Sequence, residues 1–147
     1  MGRRHMTAAA VVLAGAVAGL TLASGAASSQ TTVLSASLAG SNEVPKAGGG
    51  TGTARITLNP DTGRVCFSIK LQGVGTTAAG HIHKGASGKA GPVFIPLFAK
   101  PTRAPKGCVT GQKKSSINAI LKKPGGYYVN VHTAKYPDGA ARGQLKK

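Results

Sequence analysis

From Thr31 onward, apolar and polar residues alternate with a period of two, and glycines and prolines interrupt the alternation at short, regular intervals. Successive side chains of a strand point to opposite faces, so such a pattern suits short strands that each bury one face. "TTVLSASLAG" (Thr31 to Gly40) predicts a first strand, closed by the polar turn "GSNEVPKAGGG". "ARITL" and "RVCFSIKL" flank "NPDTG", a Pro-Asp turn with a glycine suited to positive φ, and predict a hairpin. On its second arm Val65, Phe67, Ile69 and Leu71 share one face. "TTAAGHIHKG" and "PVFIPLF" predict two further strands around the turn "ASGKAG", and "AKPTRAPKG" predicts an irregular loop leading to Cys108. "YYVNVHTAKYPDGAARGQL" predicts two strands around "YPDG". One segment departs from the period. In "TGQKKSSINAILKKPGG", Ile117, Ile120 and Leu121 fall at helical spacing before a Pro-Gly stop. Together these predict an all-β, antiparallel sandwich or barrel of seven or eight strands with one short helix.

The first 29 residues have a different character. A basic start, "MGRRHMT", precedes the uncharged apolar run Ala8 to Ala23 and then the small-residue stretch "SGAASSQ". That order predicts a cleaved signal peptide over residues 1–29 and a single secreted domain over 30–147. The apolar run falls just short of a comfortable membrane span, so no span is expected in the mature chain. The residues after Arg3-Arg4 do not complete a twin-arginine signal. No cysteine lies near the cleavage region to carry a lipid anchor. Export also frames the two cysteines, Cys66 and Cys108, as one disulfide closing a loop of about 43 residues.

Without Arg3 and Arg4, seventeen basic residues face only Glu43, Asp61 and Asp138, a net charge of about +14. Such a surface is drawn to anionic cell-envelope or matrix polymers, and it leaves an extracellular protein as the other candidate partner. Specific nucleic-acid binding is not expected. The basic residues are scattered or paired, as in Lys113-Lys114 and Lys122-Lys123, with no aromatic stacking platform among them.

Three stretches carry a resemblance. "L-x-G-x-x-E-V-P" at Leu38 to Pro45, "HIHKGASGKAGPV" at His81 to Val93 and "YYVNVHTAKYPDGAARGQL" at Tyr127 to Leu145 resemble the CHRD domain, the module named after chordin. The resemblance implies an all-β, sandwich-like fold and supplies no reaction. Chordin of animals binds growth factors through a multi-module protein, and no residue here carries that partner over. The expected role is a non-catalytic, extracellular binding or structural module, with no cofactor required.

The competing reading starts from the histidines. His81 and His83 share one face of their run, and Tyr128, Asn130 and His132 share one face of theirs. If the two runs pair, the three imidazoles converge into a ligand set for a single copper or zinc ion. The alternative is a structural hydrogen-bond cluster in which neutral rings satisfy turn carbonyls and nearby hydroxyls. A Cu,Zn superoxide dismutase-like sandwich also carries H-x-H, yet three histidines in the mature chain are too few for a bridged dinuclear site. Hydrolysis has no support. No G-x-S-x-G elbow occurs, and Asp61 and Asp138 sit in Pro-Asp turns. Glu43, the one glutamate, is expected to accept from a histidine ring or to pair with Arg142, with Asn130 as a further supporting polar residue.

Overall fold

The computed structural model describes residues 29–147 together with Gly2; most of the leader read at 1–29 lies outside the described residues. The alternating runs become β1 (Thr32–Ala39), β2 (Thr51–Asn59), β3 (Arg64–Gln72), β4 (Thr77–Lys84), β5 (Val93–Phe98), β6 (Lys106–Val109), β7 (Tyr127–Thr133) and β8 (Ala141–Gln144). The helical segment is α1 (Lys114–Lys122), and short 3-10 turns cover Gly40–Asn42 and Pro124–Gly126. All ladders are antiparallel, in one eight-stranded sheet of order β5-β4-β7-β8-β1-β2-β3-β6. This is the expected all-β architecture with its single helix.

Period two sets the core. Leu34, Ile56 and Phe67 lie opposite one another across β1, β2 and β3, as do Ala36, Ala54 and Ile69. On the other half of the sheet Ile82 pairs with both Ile95 and Val129. All of these join one buried cluster, which also takes Ile117 and Ile120 from α1. The sheet curls until its two ends meet. Phe67 of β3 stacks on Phe98 of β5 with ring centroids 5.7 Å apart, and a bridge between Thr77 and Thr102 ties the β5–β6 loop to the start of β4. The β2–β3 turn is an Asx turn, in which Asn59 Oδ1 accepts from the amides of Asp61 and Thr62, both at 3.0 Å. Gly63 takes the positive φ of 63° that this turn needs.

One strand went unread. Lys106–Val109 begins inside the segment expected to be an irregular loop, and its residues are mostly exposed, so it lacks the apolar alternation that marks the others. Its pairing with β3 places Cys108 directly opposite Cys66, and the two form a disulfide. The bridge therefore pins a four-residue edge strand across a sequence separation of 42. Replacing Cys66 and Cys108 together by serine should cost about 4 kcal/mol of unfolding free energy. Urea denaturation measures the loss. Amide exchange should show it largest in β6 and smallest in the β4–β7 pair, and an unchanged urea midpoint would contradict the assignment.

Candidate functional site

On the outer side of β4, β7 and β8, residues that point away from the core lie in rows across the ladders. His83 stands opposite Tyr128, which stands opposite Gln144; His81 stands opposite Asn130, which stands opposite Arg142; His132 stands opposite Ala79. Such a face would ordinarily meet water. Here it is covered by the loops that follow β1, β4 and β7, so Glu43, Asn130 and Arg142 are only 4%, 2% and 2% exposed. The result is a second, polar layer outside the barrel wall. Register shifts in the β4–β5 ladder, between Gly80 and His81 and again between Ile82 and His83, occur at the histidines themselves. Bulges of this kind re-aim side chains beside functional sites. Pro96 lies opposite His81 on edge strand β5, where a missing N–H is tolerated.

The expected convergence of the three histidines occurs. His81 Nδ1 lies 3.1 Å from His132 Nε2, and one donor nitrogen from each ring falls within 4.8 Å of the other two. Two backbone carbonyls orient the rings. Gly91 O lies 2.9 Å from His83 Nδ1, and Pro137 O lies 2.8 Å from His132 Nδ1. A carbonyl only accepts, so both Nδ1 atoms carry the proton, and in the neutral tautomer each Nε2 is an acceptor. His81 Nδ1–H then donates to His132 Nε2. His83 Nε2 is buried and has no hydrogen-bond partner. The ring of His83 is further fixed by stacking on Tyr128, with centroids 4.9 Å apart and planes 8° from parallel. The Arg142 guanidinium lies 4.1 Å from the Tyr128 ring centroid.

Glu43 is placed differently from expectation. Both of its carboxylate oxygens accept from Asn130 Nδ2, at 3.1 Å each. Arg142 donates instead to Lys89 O at 3.0 Å, and Lys114–Asp61 is the one side-chain ion pair among the described residues. The first and last strands are still tied together, by the Ala39–Arg142 pairing and by Asn42 Nδ2 donating to Arg142 O. Glu43 thus neither contacts a histidine nor forms a direct ion pair. Gly139 permits this arrangement. A Cβ there would sit 2.5 Å from Glu43 Oε2 and 2.8 Å from Asn130 Nδ2.

Burial governs the charges of this layer. Desolvation, reinforced by the neighbouring His132 and His83 rings, holds His81 down to about 4. Burial also lowers His83. Burial raises Glu43 to about 7, against the opposing charge of Arg142 and the Asn130 hydrogen bond. A depressed histidine stabilises the fold above its unfolded value of 6.5, and that contribution is lost as pH falls towards 4. A raised carboxyl stabilises below its unfolded value of 4.5 and loses that contribution as pH rises through 7. Between those limits the folded chain holds the Glu43 proton while the unfolded chain holds the His81 proton, so the two effects offset. Glu43→Gln removes one side of this balance. In metal-free protein, its stability should fall on acidification from about pH 6.5 to 4.5 more steeply than that of the parent, by up to about 1.4 kcal/mol per pH unit. Parallel curves from urea titrations would contradict this account.

The model of the family described as CHRD domain matches residues 34–145, three quarters of the chain and every strand but the first residues of β1. No curated protein and no solved structure gives a significant match.

Proposed function

The chain belongs to the CHRD domain family, and from that premise we propose that it is an exported, non-catalytic binding module that holds a single transition-metal ion through His81, His83 and His132. The observation that carries this reading is the buried, unpartnered Nε2 of His83, beside the donor nitrogens of two further rings. A purely structural hydrogen-bond cluster would satisfy that atom, since buried polar groups are almost always paired. Its Nδ1 is anchored to a backbone carbonyl, as is that of His132. Metal-ligating histidines are commonly held this way, with the outer-shell bond fixing tautomer and ring orientation.

Distances support a mononuclear site. Two nitrogens 3.1 Å apart, His81 Nδ1 and His132 Nε2, each bonded to one metal at about 2.05 Å once the His81 proton has moved to its Nε2, subtend an angle of about 98° at the ion. The widest of the three separations lies within 4.8 Å, and bringing it to the roughly 3.6 Å of a trigonal set takes ring movements of about 1 Å. An all-imidazole set favours copper or zinc over calcium or magnesium. Neutral rings are the form a metal requires, and burial keeps His81 and His83 neutral. Export is supported by the leader pattern and the Cys66–Cys108 disulfide, which suits an oxidising compartment. Among the described residues no helix is long and apolar enough to cross a membrane.

Calorimetric titration of chelated protein with Zn²⁺ and with Cu²⁺ should show uptake of one ion per chain. At a free-ion concentration one hundredfold above Kd, the bound ion should raise stability by about 2.7 kcal/mol. Single His→Ala variants should bind at least about tenfold more weakly, and the triple variant should bind none. Uptake that persists in the triple variant, or none above trace in the parent, would overturn the proposal.

A further inference from the structure

A second feature lies elsewhere on the barrel, on the outer face of β1, β2, β3 and β6. Strand pairing places Ser35 opposite Arg55, Arg55 opposite Ser68 and Ser68 opposite Lys106. On the far side of β1, Ser35 bridges to Lys146 through backbone hydrogen bonds of 2.8 and 2.9 Å. Residues directly opposite in a ladder share a face, so Lys146, Ser35, Arg55, Ser68 and Lys106 form one row across the sheet. All five are exposed. Cations and hydroxyls alternate along it, and successive cations are two strand spacings apart, or about 9.5 Å. The next row carries Ser37, Thr53 and Lys70. Between the rows runs a shallow groove of about 310 Å³ whose lining includes Ser35, Thr53, Arg55 and Lys70.

The chain's acids are placed away from this row. Glu43 is buried in the polar layer over β4, β7 and β8, Asp61 is paired with Lys114, and Asp138 lies in the loop after β7. No aromatic side chain lies on the outward positions of the four strands, so bases have no platform on which to stack.

We propose that this face docks a linear acidic polysaccharide that bears its anionic group on alternate sugars. The proposal deepens the reading of the chain as an exported binding module. Each anionic group meets one cation of the row, and the neutral sugar between them meets a serine hydroxyl. A polymer charged on every sugar would place half of its charges opposite hydroxyls. Regular spacing therefore selects for pattern, where net charge alone would select for charge density.

Binding to hyaluronate, which is charged on alternate sugars, is compared with binding to polygalacturonate, charged on every sugar, and to single-stranded DNA, at equal chain length and about 0.15 M salt. Hyaluronate should bind most tightly. The variant Arg55→Gln/Lys106→Gln/Lys146→Gln should lose about tenfold in affinity. Lys113→Gln/Lys122→Gln/Lys123→Gln removes the same charge from exposed positions in and beside α1, and should lose less than about twofold. Every substituted side chain is exposed, and equal melting temperatures would confirm that both variants fold. Equal losses in the two variants, or a ranking that follows charge density alone, would overturn the proposal. Binding should persist in chelated protein and in the triple histidine variant, so failure of this surface leaves the metal titration unaffected, and the converse holds.

Discussion

The β4–β7 ladder is the constraint on which the rest of the polar layer depends. It joins two strands separated by more than forty residues of chain, and its register puts His81 opposite Asn130 and His83 opposite Tyr128. A shift of one residue would send every side chain of one strand to the other face. The inward partners prevent that slip. Ile82, Val129 and Val131 are fully buried, so turning them outward would forfeit roughly 1.5–3 kcal/mol of burial at each position. The apolar core thus holds the imidazoles in place from the opposite side of the same strands.

What the ladder places, the loops complete. The turn after β4 brings Gly91 O to His83, and the turn after β7 brings Pro137 O to His132, so each histidine strand is served by the hairpin loop that follows it. The same loops exclude water from Asn130 and Arg142. In that low-dielectric layer the hydrogen bond from Asn130 to Glu43 and the position of Arg142 over Tyr128 are stronger than they would be at an open surface. Rigid second contacts of this kind leave few ring orientations open.

The strand faces were legible in the sequence because period two is a direct consequence of strand geometry. His81, His83 and His132 could therefore be put on common faces before any pairing was known. Convergence itself was conditional on which strands pair, and alternation carries no information about neighbours. β6 escaped because four mostly exposed residues after two prolines offer no apolar period; only Cys108 hinted at a partner. Glu43 was singled out for its rarity, but its partner was misassigned. Arg142 was the natural ion-pair candidate, yet the chain gives its guanidinium a backbone carbonyl, Lys89 O, and carbonyls leave no trace in residue identity. Asn130, already on the histidine face, was the readable alternative.

Composition and structure also divide the positive charge in a way the sequence could not show. In the linear chain Arg55, Lys106 and Lys146 are far apart and look dispersed. Antiparallel pairing sets them in a single row, while the acids are drawn into a buried hydrogen bond, an ion pair and a turn. An exposed sheet face of like charges carries a repulsive cost, and spacing the cations by hydroxyls at about 9.5 Å keeps them near the screening length of about 8 Å at physiological salt. The arrangement is therefore tolerable without a partner, and it still presents a regular positive potential to an anionic one. The same barrel wall carries buried and half-buried imidazoles on one sector and a row of exposed cations on another. Where loops cover the sheet, burial favours the neutral forms of His81, His83 and Glu43, while Arg142 keeps its charge against the Tyr128 ring and Lys89 O; where the sheet is open the cations remain in water.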